Sequence, residues 1–244
     1  MEASIQLTRE QCDFFTTRGY LILQNVLTAA ETKGLQTRAQ EIHDLPRTAD
    51  VPWMPYEEIN ASSNRVLCRT ENFANYHDGF NKLLPGPKSL HIDSTAYTHI
   101  KRVEHLTILM AVDDTNMQNI GLEVVDGSHN TEVPIGDDNC IVPEWVEMQT
   151  WTRVELQADQ LLVFGSYLAH RSGPNSSSGD RKALYATYNC ACEGDLHDPY
   201  YADHAKLWPA THMQEEGKDY SQGEMRYGFG GPMLSIGLGK QLRV

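Results

Sequence analysis

His91 and Asp93 stand two apart in the stretch SLHIDSTAY, residues 89–97. On a strand, residues i and i+2 face one side, so this pair aims an imidazole and a carboxylate at one point. A third donor further along the chain would make the pair a metal site. His170 supplies an imidazole in DQLLVFGSYLAHRSGPNSSSGDR (159–181), on the turn after an apolar strand at 161–164. Two imidazoles and one carboxylate leave three adjacent positions of an octahedron open. That set suits non-haem Fe(II), which must bind a co-substrate and dioxygen together. Zinc hydrolases also use three protein ligands. Arg181 separates the two readings, because a guanidinium pairs bidentately with a carboxylate. A fixed arginine beside an iron site is what a dicarboxylate such as 2-oxoglutarate requires, and Ser172 can donate a second hydrogen bond to the same carboxylate. Taken singly, His-x-Asp is more often a surface strand pair and an arginine a surface ion pair. The argument rests on their combination.

These residues need strands to hold them. Short strands are expected at 90–93, 105–112, 121–125, 152–156, 161–164 and 182–189, with turn signals such as Asp126-Gly127-Ser128 between them. Many short strands of this kind imply an antiparallel sandwich or barrel. Ahead of them, capping boxes at Thr8-x-x-Gln11 and Thr28-x-x-Glu31 open two helices, with a strand at 20–23 between them. Residues 45–66 read as a loop containing a solvated Glu57-Glu58 pair. A strand is expected at 66–69 and a short helix at 76–84. Residues 193–232 read as an irregular tail with solvated His197, His204 and His212. The expected organisation is one domain: N-terminal helices over about 8–84, a β core over about 85–192, and the tail.

Composition narrows the function. The chain has 244 residues and a formal net charge of −13. That charge disfavours nucleic acid and anionic membranes, which demand basic patches. No apolar run approaches the roughly 20 residues of a membrane helix, and MEASIQLTREQ lacks the pattern of a secretory leader. Cys12, Cys68, Cys140, Cys190 and Cys192 form no zinc pattern, and Cys190-Ala191-Cys192 is too tight for the usual structural pair. A soluble cytoplasmic protein acting on a small molecule is expected; the oligomeric state is not readable.

His91-x-Asp93, HRSGPNSS (170–177) and Arg181-x-Ala183-Leu184-Tyr185 together resemble the phytanoyl-CoA dioxygenase family of Fe(II)/2-oxoglutarate oxygenases. The entry segment LTREQCDFFTTRGYLIL and LEVVDGSH (122–129) extend the likeness over most of the chain. LCRTENF (67–73), ALYATYN (183–189) and DPYYADHAKLWP (198–209) point to the 2-aminoethylphosphonate dioxygenase-like branch. The resemblance implies a mainly β fold with flanking α-helices and a double-stranded β-helix, or jelly-roll, core. It implies His91, Asp93 and His170 as ligands of Fe(II), Arg181 with Ser172 as the 2-oxoglutarate clamp, and Thr107 as a helper. It also implies O2 as co-substrate, with succinate and carbon dioxide released as a substrate C–H bond is hydroxylated. The chain departs from the family in two places: Ile120 follows Asn119 where the family usually has glycine, and only residues 85–90 separate the expected helix from His91. Relatives in the branch carry a longer, Lys- and Asn-rich stretch there. A secondary-metabolite tailoring oxygenase and a catalytically silent scaffold are the rival readings.

Three further residues are expected near the substrate. Tyr97 shares strand parity with Asp93. Asn189 shares parity with Arg181 and Tyr185. Arg102, beside Lys101, belongs to the basic pair nearest the ligand strand. His105, Trp145 and Trp151 read as packing residues.

Overall fold

Both capping boxes form as expected. In helix α1 (Arg9–Arg18) the Thr8 hydroxyl accepts from the Gln11 N–H while the Gln11 side chain accepts from the Thr8 N–H. Thr28 and Glu31 repeat the exchange at the start of α2 (Ala29–His43). Gly19 ends α1 at φ 85°, a left-handed cap that glycine adopts without a Cβ clash. The computed structural model describes residues 6–59, 63–83, 105–116, 118–119, 121–136, 140–173, 175–227 and 240–241.

The remaining elements, in order, are β1 (Tyr20–Leu23), β2 (Met54–Ile59), β3 (Arg65–Glu71), α3 (Asp78–Leu83), β4 (His105–Ala111), β5 (Leu122–Val124), α4 (Pro143–Met148), β6 (Thr152–Val154), β7 (Leu161–Gly165), β8 (His170–Ser172), β9 (Ala183–Asn189), α5 (His197–Leu207), α6 (Ser221–Tyr227) and β10 (Lys240–Gln241). They form three antiparallel sheets, ordered β1-β7-β4-β9, β6-β5-β8 and β10-β2-β3. The first two sheets face each other as a jelly roll. Their shared core holds Leu109 and Ala111 of β4, Leu122 and Val124 of β5, Val154 of β6, and Leu162 and Phe164 of β7.

Strand parity sorts the faces. On β4 the odd residues His105, Thr107, Leu109 and Ala111 are buried, and Leu109 and Ala111 lie in the inter-sheet core. The even residue Met110 packs outward with Leu184, Ala186 and Tyr188 of β9 against Leu35 and Ile42 of α2. Thus α2 covers the outer face of the larger sheet, and the odd residues of β4 and β9 look into the barrel.

Three expectations require correction. Residues 45–66 are not all loop, because β2 runs through 54–59 and β3 begins at Arg65. Glu57 and Glu58 are not solvated: both are buried on β2, with Glu57 Oε1 2.6 Å from Arg47 Nη1 and Oε2 2.5 Å from Arg65 Nη2. The tail is not irregular, since α5 and α6 pack on β2 through Met54, Tyr56, Tyr200, Tyr201, Trp208 and Tyr227. His204 has no exposed surface. Its Nε2 lies 3.0 Å from the Tyr56 hydroxyl, its Nδ1 lies 3.4 Å from Glu71, and its ring stacks on Tyr227 at 4.1 Å.

Candidate active site

The smaller sheet positions His170. The expected turn is instead the short strand β8, paired antiparallel with β5 in the register Val124↔His170, Glu123↔Arg171 and Leu122↔Ser172. Directly opposed residues share a face. Leu122 and Val124 belong to the inter-sheet core, so His170 and Ser172 also point into the barrel. Arg171 faces outward, 2.8 Å from Glu123 Oε2 and 4.1 Å over the Trp151 ring.

Local contacts fix the histidine's tautomer. His170 Nδ1 donates to the Leu168 carbonyl at 2.9 Å, which places the neutral ring's lone pair on Nε2. A backbone carbonyl on the remote nitrogen is a common second-sphere partner of a metal-bound histidine. The imidazole therefore fits the role of an Fe(II) ligand. Phe164 flanks the ring at 5.2 Å between centroids. Upstream, Ala169 is held at both ends: its N–H donates to Ser128 Oγ and its carbonyl accepts from Val125, each at 2.9 Å. Gly127, at φ 76°, makes the turn that presents Ser128.

The β5–β8 ladder continues beyond Ser172 to a bridge between Asn119 and Asn175. There Arg181 Nε donates to the Asn119 carbonyl at 3.2 Å. Along this edge the order is His170, then Ser172, then Arg181, as an elongated dicarboxylate between metal and guanidinium requires. Two loops set the arginine. Asn175 organises residues 175–179 by accepting from the Ser177 N–H at 3.0 Å and donating to the Gly179 carbonyl at 2.8 Å. On the other side Asp113 Oδ2 accepts from the Lys182 N–H at 2.8 Å. Asn119 is itself tied to Asn116 N at 2.7 Å and to the Asp114 carbonyl at 2.8 Å.

Thr107 faces the barrel, opposite Phe164 on one side and Thr187 on the other. The Thr107 and Thr187 hydroxyls are 3.1 Å apart, and both residues are buried. Thr187 was not anticipated, although it shares odd parity with Arg181. Asn189 lies at the far end of β9, where its amide donates to the Cys190 and Gly194 carbonyls at 3.1 Å each. His105 is buried at 4 % exposure. His91, Asp93, Tyr97 and Arg102 lie outside the described residues. Among the described residues no three His, Cys, Asp or Glu side chains cluster as a metal site.

Known structures share this architecture. EctD from S. alaskensis, solved with 2-oxoglutarate and 5-hydroxyectoine, is 16% identical with a TM-score of 0.62, covering 76% of this chain and 77% of that one. The α-ketoglutarate-dependent epimerase SnoN from nogalamycin biosynthesis is 16% identical with a TM-score of 0.55, covering 75% and 82%. The fold is the double-stranded β-helix of Fe(II)/2-oxoglutarate oxygenases.

Sequence comparison sharpens that class. The profile of the phytanoyl-CoA dioxygenase (PhyH) family matches residues 73–183. A methylphosphonate hydroxylase from Gimesia maris is 32% identical over 228 aligned positions, covering 81% of this chain and 86% of the relative. A 2-aminoethylphosphonate dioxygenase from an uncultured bacterium (HF130_AEPn_1) is 27% identical over 258 positions, covering 93% and 98%. The chain belongs to the phytanoyl-CoA dioxygenase family, in its 2-aminoethylphosphonate dioxygenase-like branch, and is a 2-oxoglutarate-dependent non-haem iron dioxygenase. Its cofactor set is Fe(II), 2-oxoglutarate and O2. The alignment to the second relative is longer than this chain, so that relative carries residues this chain lacks.

Proposed function

We propose that this enzyme hydroxylates a C–H bond of a small phosphonate, releasing succinate and carbon dioxide. The names of the two relatives that align along most of the chain support the substrate class. In this reading His91 and Asp93 join His170 in holding the metal, and Arg181 with Ser172 grips the distal carboxylate of 2-oxoglutarate. The observation that carries the reading is the common inward face of His170 and Ser172, with Arg181 anchored beyond them on the same ladder.

Each residue then has a defined task. The Leu168 carbonyl keeps the His170 proton on Nδ1, so Nε2 meets the metal as a neutral donor. Asn119 holds Arg181 by Nε and orients the guanidinium plane for a fork-like pairing with carboxylate. Thr107 and Thr187 supply a pair of buried hydroxyls inside the barrel, beside Phe164. Phe164, Leu162 and Val124 exclude water around the reacting centre. Bound Fe(II) supplies the redox chemistry that couples decarboxylation of 2-oxoglutarate to substrate oxidation. Tyr97 and Arg102 are the proposed substrate contacts.

Succinate formation across methylphosphonate, 2-aminoethylphosphonate, small amines and acyl thioesters tests the assignment. Coupled turnover with a phosphonate is the expected result. Coupled turnover only with a non-phosphonate would refute the substrate class and leave the cofactor set intact. The dioxygenase lolE1 of Epichloe uncinata, 34% identical over 130 residues and covering half of each chain, supports the dioxygenase chemistry and no particular substrate.

A further inference from the structure

The pair Cys190-Ala191-Cys192 has no part in the oxygenase chemistry, and its geometry is specific. Both cysteines are exposed and reduced, in a short 3-10 turn directly after β9. Cys190 caps that turn in extended conformation, φ −61° and ψ 131°, and its Sγ accepts from the Cys192 N–H at 3.4 Å. The cap turns the Cys190 sulfur back over the turn toward residue 192. The Cys192 thiol has its pKa raised, chiefly by a hydrogen bond with the Cys190 side chain. Asn189 braces the turn by donating to the carbonyls of Cys190 and Gly194. The other cysteines lie elsewhere: Cys12 on α1, Cys68 on β3, and Cys140 just before α4.

We infer that Cys190 and Cys192 form a reactive dithiol that closes to an intramolecular disulfide when a hydroperoxide is the oxidant. The Cys190 thiolate is the nucleophile, because Cys190 caps the turn and the Cys192 backbone N–H points its hydrogen at the Cys190 sulfur. Its thiol proton passes to solvent, its sulfur bonds to one peroxide oxygen as the O–O bond breaks, and the departing hydroxide takes a proton back from solvent. The products are a Cys190 sulfenic acid and, with hydrogen peroxide, one water. The Cys192 sulfur then bonds to the Cys190 sulfur, the S–O bond breaks, and the departing hydroxide takes up the Cys192 proton as a second water. In sum, two thiols are oxidised by two electrons and one peroxide is reduced to two waters.

The test uses the full reduced chain, with a chelator present so that iron does not divert the peroxide. One equivalent of hydrogen peroxide is added, followed by alkylation and peptide mapping. The expected product has lost two hydrogen atoms, carries no alkylation at Cys190 or Cys192, and recovers both on treatment with dithiothreitol. Phenylarsine oxide, which bridges paired thiols, binds one equivalent before oxidation and none after. Cys192→Ser accumulates a dimedone-reactive sulfenic acid at Cys190, whereas Cys190→Ser abolishes disulfide formation; both variants retain 2-oxoglutarate turnover. Persistent alkylation of both thiols, separate oxidation of each to sulfinic acid, or disulfides only between chains would overturn the inference.

Discussion

Arg181 gives the sharpest residue-scale prediction. Charge-assisted bonds contribute about 1.5–3 kcal/mol each, so Arg181→Ala is expected to weaken 2-oxoglutarate roughly 10- to 100-fold while iron affinity holds. Titration of each separately checks this, and equal loss of both would assign Arg181 to the fold. Arg181→Lys should recover little, because an ammonium cannot make the planar fork. A second prediction concerns Cys68, whose thiol is pushed up to about 12 by burial first and by Glu58 second. The raised value keeps it a neutral thiol at pH 8 and still largely so at pH 10. Native-state alkylation should therefore modify Cys190 and Cys192 but spare Cys68 at both pH values; rapid labelling of Cys68 would contradict its burial. The inward direction of His170 and Ser172 was not legible, because the apolar run ends at Phe164 and the residues around His170 read as a turn; their face is set by the pairing of β8 with β5. Thr187 was passed over as well. A lone threonine in an apolar strand looks like β-propensity, and only its register against Thr107 gives it meaning.

At the scale of elements, the β2–β3 pair and the α5–α6 layer depend on buried charge. Glu71 is 1 % exposed and lies 2.9 Å from Arg69 and 3.4 Å from His204. Removing one partner of a buried pair strands the other, at a cost of about 3–5 kcal/mol. Glu71→Ala should lower the unfolding free energy by that amount in denaturant titration; a loss under 1 kcal/mol would mean the pair contributes little. Gly223 is equally constrained, since a Cβ there would sit 2.1 Å from the Leu207 carbonyl oxygen, and it lets α6 meet the end of α5. This layer was the least legible part of the fold. Local pattern marks Glu57-Glu58 as surface, and the buried Glu57 is met by arginines at positions 47 and 65 that only the folded chain brings near. Tyr200, Tyr201 and His204 do carry helical spacing, yet the surrounding Asp and His residues mask it. The jelly-roll strands were easier, because short apolar runs between Gly, Asp and Asn turns are a local signal.

Across the whole molecule, a net charge of −13 must still admit the dicarboxylate 2-oxoglutarate. In the proposed reading a local cation, Arg181, does what the global charge cannot. Among the described residues no helix is long and apolar enough to cross a membrane. The central claim is a ferrous site made by His91, Asp93 and His170, with 2-oxoglutarate gripped by Arg181. Anaerobic titration of the protein with Fe(II) and 2-oxoglutarate tests it most directly, through the visible charge-transfer band of the chelated complex. The account predicts a band saturating at one iron per chain, abolished in His170→Ala. A folded wild-type chain with no band, or a band that survives in His170→Ala, would contradict it.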